Sequence, residues 1–312
     1  MKIMFVTICS VLLTIVLLIS SACTNKSQPF DDGIFRDKAL ASCISLYVGE
    51  GGIEIEELKG FTHLDLSRKG ISNLTGLEYF TNLTSLYIYG NDIKDLSPLA
   101  SLNKLDRLWL QENQVADITP LANLTELNEL LLADNQITDI LPLTHLTKLY
   151  KLGLGDNQIQ DISGLGLLTS LMELDLHDNE IIDISALSTL TRMKSLRLEA
   201  NLINSISSIL YLTNMEGLWL DRNQIVDIKP LCSLTQLKWL FLSENQVVDI
   251  SPLASLTSLE ELYIERNQVS DIAPLLSLNK LNIVHMRWNP LNETSIDVIY
   301  PQLKEKLEWV LK

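Results

Sequence analysis

From residue 61 to residue 291 the apolar positions of this chain recur in one fixed frame. Asparagine stands at Asn91, Asn113, Asn135, Asn157, Asn179, Asn201, Asn223, Asn245, Asn267 and Asn289, every twenty-second position. Five residues before each is a leucine, from Leu86 to Leu262, with Val284 closing the series. Three before is Leu, Ile or Met, and two after is Ile, Val or Leu. An earlier unit, FTHLDLSRKGISNL (61–74), keeps the frame but has Lys69 where the asparagine belongs. Apolar and variable residues alternate before each asparagine, which predicts a short strand with one buried face. A 22-residue unit cannot bury its apolar side alone, whereas stacked units share one continuous core. The expected architecture is therefore an α/β solenoid of eleven units, its strands forming a curved parallel sheet roughly 50 Å long on the concave face.

The remaining polar positions of the frame refine that picture. The chain must turn inward after each strand, burying backbone groups that need partners. An asparagine amide carries both a donor and an acceptor, so the ten asparagines are expected to form a structural ladder rather than a binding site. The outer half of the unit reads D-I-x-P-L-x-x-L, with Asp95, Asp117, Asp139, Asp161, Asp183, Asp227, Asp249 and Asp271 in step and Ser205 filling the gap. Proline suits the first turn of a helix and aspartate caps one. So few residues remain for the convex side that short 3₁₀ turns are expected. A calcium-binding strip is the alternative use of these aspartates, and capping is the more economical one.

The pattern L-x-x-L-x-L-x-x-N-x-I resembles the leucine-rich repeat. The 22-residue unit with D-I-x-P-L, preceded by a helical cap, is similar to the internalin class of bacterial surface proteins. That resemblance implies a concave face that grips a protein. The leucine-rich regulatory subunit of protein phosphatase 1 has a similar unit, but an export signal argues against that role.

The ends complete the organisation. Residues 1–22 hold Lys2, an apolar run from Ile3 to Ile19 and the small residues Ser20, Ser21 and Ala22, the layout of a signal peptide. Cys23 follows, as in a bacterial lipobox, and is the expected lipid attachment. Ser20 stands where the lipobox prefers leucine, and Ser20-x-Ala22 also suits ordinary signal peptidase cutting at the same bond. Residues 23–33 read as a tether, 34–60 as an N-terminal cap with a helix in 34–48, 61–291 as the eleven repeats and 292–312 as a C-terminal cap. In the last, Thr294 or Ser295 is the expected helix N-cap, ahead of an amphipathic stretch to about Lys306 and an apolar finish at Trp309–Leu311. The expected location is the bacterial cell membrane or surface, lipid-anchored, or else secreted.

Composition then bears on function. Leucine accounts for 63 of 312 residues, aromatics are 6%, and the formal charge is −15. Such a chain repels phosphate backbones, so nucleic acid is not an expected partner. The few large aromatics map largely to concave-facing positions. Tyr87, Tyr89 and Trp109 form an N-terminal patch, and Trp219, Trp239, Phe241, Tyr263 and His285 a C-terminal one. Between them the face is small or charged: Gly153, Gly155, Glu173, Asp175, His177, Arg197 and Glu199. Aromatics also suit strands for packing alone, but exposed apolar patches and Trp/Tyr clusters mark binding surfaces. The expected partner-binding set is these eight aromatic and histidine residues with Arg197. Thirteen acids against seven bases along the face point to a neutral or basic protein or peptide. A monomer is expected, touching the membrane only through its lipid. Of the four cysteines, Cys43 on the cap helix and Cys232 on the convex side read as buried thiols. No P-loop, GxGxxG or HExxH motif is present, and no cofactor or metal is implied. His177 with Asp175, Asp178 and Glu173 could suggest a metal-dependent enzyme, but an open strand face lacks the enclosure catalysis needs. The expected function is recognition, with a passive envelope scaffold as the alternative and a metalloenzyme a distant third.

Overall fold

The computed structural model describes residues 33–48 and 54–311. Twelve three-residue strands form one parallel sheet in chain order. They are β1 (His63–Asp65), β2 (Ser85–Tyr87), β3 (Arg107–Trp109), β4 (Glu129–Leu131), β5 (Lys151–Gly153), β6 (Glu173–Asp175), β7 (Ser195–Arg197), β8 (Gly217–Trp219), β9 (Trp239–Phe241), β10 (Glu261–Tyr263), β11 (Ile283–His285) and β12 (Trp309–Leu311). From β1 to β11 each residue pairs with its counterpart one repeat on, so equivalent side chains stand side by side across the sheet. The frame alone gives eleven strands. The twelfth comes from the apolar finish of the chain, where Trp309 pairs with Ile283 across a span longer than one repeat. β12 occupies the place of the next repeat, and the Leu311 carbonyl accepts the Met286 N–H that would otherwise be orphaned.

The convex side is built of single 3₁₀ turns, from Leu77–Tyr79 to Ala273–Ser277. All eight frame aspartates do the same work, each carboxylate accepting the N–H two residues on at 2.8–2.9 Å. Bonds from the hydroxyl and the N–H of that second residue (Ser97, Thr119, Ser163 or Ser251) hold Asp95, Asp117, Asp161 and Asp249 below the usual carboxylate range. Between strand and turn, each complete unit sends its frame residues into a closed core. In the unit after β7 these are Ile203, Ile206, Ile209, Leu212 and Met215, all essentially inaccessible.

Each asparagine ties its own unit to the one before. The Asn201 Oδ1 accepts the Ile181 N–H at 3.0 Å, and its Nδ2 donates to the Leu176 and Leu198 carbonyls at 2.9 and 3.1 Å. The same bonds recur from Asn91 to Asn289. Lys69 in the first unit has no repeat behind it to bond, which explains why the amide is dispensable there. The residue before each asparagine turns the backbone into the left-handed region, with φ between +47° and +67°. In these ten complete units only Gly90 is a glycine; the others include Glu112, Asp156, Ala200 and Trp288. Left-handed backbone costs a non-glycine residue about 1 kcal/mol, a strain the asparagine frame did not announce.

Caps close both ends. Helix α1 (Lys38–Val48) lays Leu40 and Ile44 on the first unit. Asp37 caps it through the Ala39 and Leu40 N–H groups, while its other oxygen accepts the Ser72 and Asn73 N–H groups. One side chain thus fixes the helix and clamps it to the repeats. A short helix, α2 (Ile55–Leu58), follows. At the other end a π-helical turn (Ser295–Ile299) runs into α3 (Tyr300–Lys306). Neither Thr294 nor Ser295 acts as the N-cap. Asn292 accepts the Ser295 N–H at 2.8 Å, and the buried Ser295 hydroxyl instead bonds Ser270 and Ile272 of the last unit. Cys43 is buried as expected, but Cys232 is exposed, because it sits on the outward side of a 3₁₀ turn.

Two substitutions measure these forces. Asn201→Ala orphans the buried Ile181 N–H and removes one of two donors from each of the Leu176 and Leu198 carbonyls, which keep Asn179 and Asn223. It should lower stability by about 1–3 kcal/mol in urea unfolding, and a loss below about 0.5 kcal/mol would refute the bridging role. Ala200→Gly relieves left-handed strain and should raise stability by about 0.5–1 kcal/mol.

Candidate protein-binding surface

The in-register sheet turns one column of the repeat into a stack of rings. Strand neighbours Trp219 and Phe241 lie with centroids 5.5 Å apart and planes 13° from parallel. Phe241 and Tyr263 follow at 4.4 Å and 7°, then Tyr263 and His285 at 4.6 Å and 32°. The rings lean along the sheet on one another, so each is half-buried rather than protruding. Gly217 makes room beside them. A Cβ there would meet the Trp219 indole at 2.5 Å and Trp239 at 3.4 Å, so both tryptophans close over this glycine. The column does not end at His285. β12 places Leu311 beside it and Trp309, 56% exposed, beside Ile283. Trp288 is 63% exposed, with the Arg266 guanidinium 4.6 Å over its ring. Sequence reasoning left Trp309 and Leu311 off this face because β12 breaks the spacing of the repeat.

The N-terminal patch is smaller. Tyr87 and Trp109 lie 4.4 Å apart, and Arg68 covers Tyr89 at 5.4 Å. The structure thus keeps the two aromatic groups of the concave face separate, with β4 to β7 lying between Trp109 on β3 and Trp219 on β8.

Between them lies a charged network. The His177 Nδ1 is 2.6 Å from Asp175, and its Nε2 is 2.9 Å from Asp156. The ring lies directly over Gly155, where any Cβ would collide with it. Arg197, expected to face a partner, bonds Glu199 and reaches Asp175 at 3.4 Å. Arg222 bonds Asp178 at 3.4 Å. The Asp175 hydrogen bond raises the His177 pKa to about 9 against the cost of burial, with the Asp175 and Asp156 charges adding to it. Burial opposes ionisation of Asp175, but the His177 bond and the charges of His177 and Arg197 overcome it and hold its pKa down. Asp221 goes the other way. Burial lifts it to about 6, with the Glu199 charge adding, although Ser243 donates its N–H to it. Among the described residues Asp156, His177 and Asp178 bring three ligand atoms within 4.8 Å of one another, a spacing that could hold a divalent cation. Any metal there must first displace a proton that His177 keeps to about pH 9.

Among the described residues no helix is long and apolar enough to cross a membrane. The apolar run and Cys23 lie outside the described residues.

The family model for Leucine Rich repeats (2 copies) matches residues 81–123, 125–167 and 235–277. No curated protein matches the chain. Among solved structures, an internalin (InlF) from Listeria monocytogenes is 32% identical, with a TM-score of 0.77 and 89% of each chain covered. An internalin C2 (InlC2) from the same organism is 30% identical, covering 81% of this chain and 95% of that one, with a TM-score of 0.50. The ectodomain of the plant receptor kinase GASSHO1/SCHENGEN3 from Arabidopsis thaliana, in complex with CASPARIAN STRIP INTEGRITY FACTOR 2, is 24% identical. It covers 73% of this chain and 30% of that one at a TM-score of 0.66, a likeness of fold.

The charge network carries its own test. Because the folded pKa of His177 is raised, its contribution to stability is complete below about 6.5 and lost as pH rises through about 9. Proton NMR of the His177 ring should give a midpoint near 9, and Asp175→Asn should bring it back toward 6.5; a midpoint of about 6–7 in the unmutated protein would contradict the pairing.

Proposed function

Because the chain belongs to the internalin class of leucine-rich repeat proteins, we propose that it is a recognition module whose concave face binds a protein or peptide. The observation that carries this reading is the continuous aromatic surface from Trp219 to His285, joined by Trp239 and extended by Trp309. Preformed apolar surface of this kind supplies interface hot spots at low conformational cost. Tyr87, Tyr89 and Trp109 form a second, weaker contact area, and Arg197 holds the charged zone between the two. The same fold carries a bound partner in the plant receptor ectodomain. The acidic balance of the face and of the whole chain favours a neutral or basic ligand.

The proposed setting is outside the cell. Residues 1–22 direct export, Cys23 takes a lipid, residues 23–33 form the tether and the solenoid acts as a monomer at the surface. Release as a secreted protein is the alternative. The role is binding, not catalysis: the open strand face gives no enclosed site for a reaction.

Trp219→Ala, Trp239→Ala and Phe241→Ala combined should lower affinity for a captured partner at least a hundredfold, since each hot-spot truncation costs about 1–2 kcal/mol or more. The check is a pull-down followed by titration calorimetry, with circular dichroism to establish an intact fold. Unchanged affinity would put the ligand elsewhere on the chain and refute the aromatic surface as its site, and capture of no partner would favour the passive scaffold.

A further inference from the structure

The aromatic column ends, on its N-terminal side, against a pair of acids whose hydrogen bonding is incomplete. Glu199 on the unit of β7 is only 8% exposed. Its Oε1 is taken by Arg197, but its Oε2 is buried with no hydrogen-bond partner. A buried carboxylate oxygen is normally bonded, and an orphan calls for a donor from elsewhere. One unit on, at the equivalent place after β8, stands Asp221, half-buried and satisfied on one oxygen by the Ser243 N–H. Burial and the neighbouring Glu199 charge lift the Asp221 pKa to about 6, and the pair holds two carboxyls against the one Arg197 guanidinium, which is shared with Asp175. The surrounding cations are already committed. Arg197 is shared between Glu199 and Asp175, His177 lies between Asp175 and Asp156, and Arg222 is held by Asp178. Trp219, two residues before Asp221, borders the pair on the aromatic side.

We infer that Glu199 and Asp221 form an anchor site for a basic side chain, Lys or Arg, of the protein or peptide that lies along the aromatic column. The inference rests on the recognition role proposed above and adds to it the chemistry of the ligand. A lysine ammonium or arginine guanidinium offers only donors and a positive charge. It donates to the Oε2 and draws the Asp221 pKa down from about 6. A neutral hydroxyl meets the first need alone, and a carboxylate or phosphate meets neither. A charge-assisted bond in a half-buried site is among the strong ones.

The test uses an array of random N-acetylated dodecapeptides probed with the full chain. The strongest binders are then titrated against the unmutated protein, the Glu199→Gln/Asp221→Asn variant and the triple aromatic variant. Binders should share a Lys or Arg. Replacing that residue by norleucine and making the acid variant should each weaken binding at least tenfold, and the two losses should not add. Binders lost in the aromatic variant, but unchanged within twofold by norleucine and by the acid variant, would overturn the anchor and leave the recognition role standing. An array with no binder would overturn both. Should the acid variant fail to fold, the norleucine peptides on the unmutated protein decide the matter.

Discussion

Everything in this molecule hangs on a side-chain amide repeated ten times. A three-residue strand makes too few bonds to stand alone, and a chain that must turn inward once in every repeat buries polar backbone at each turn. The asparagine answers both demands. It accepts an N–H and donates to a carbonyl of the preceding unit while bonding a carbonyl of its own. Units therefore cohere through buried polar contacts as well as through the leucine core, and those contacts admit one register. Leucine supplies the burial free energy; asparagine decides where each leucine sits.

That register is what makes a binding surface out of scattered residues. Trp219, Phe241, Tyr263 and His285 are each a full repeat apart in sequence, yet their ring centroids lie 4.4–5.5 Å apart, close to the spacing of adjacent strands. No loop has to order and no ring has to find its neighbour on binding. Glu199 and Asp221 obey the same geometry, which sets two like charges side by side and adds to burial in raising the Asp221 pKa. The surface is rigid for the reason that the core is rigid.

Much of this was legible because a translational frame converts position into place. Once the asparagines are aligned, the buried leucines, the capping aspartates and the face of Trp219 or Tyr87 follow from alternation alone. What depends on direction within the face did not follow. Nothing in the order of residues says that Trp219 folds back over Gly217, that His177 covers Gly155, or that Arg197 turns from a partner toward Glu199 and Asp175. Those outcomes are set by competition among neighbours two residues along and one unit across. The frame was silent, too, where it ends. Trp309 joins the sheet out of step with the repeat, and Ser295, read as a cap, is a buried strut. Cys232 was misplaced because it lies on the outward side of its convex turn, between the buried Leu231 and Leu234.

The left-handed residue before each asparagine has a consequence for ancestry. At that corner the backbone geometry is the same whether the side chain is Gly90, Glu112, Ala200 or Trp288, so units are interchangeable parts joined by identical couplings. Unequal recombination can insert or delete one whole unit and leave every coupling made. Such an event moves the acid pair and the aromatic column along the sheet by one strand spacing, about 4.8 Å, without disturbing either when it falls outside them. The solenoid is in that sense a ruler with a fixed graduation, along which a lineage can reset the distance between two grips on a partner in whole steps.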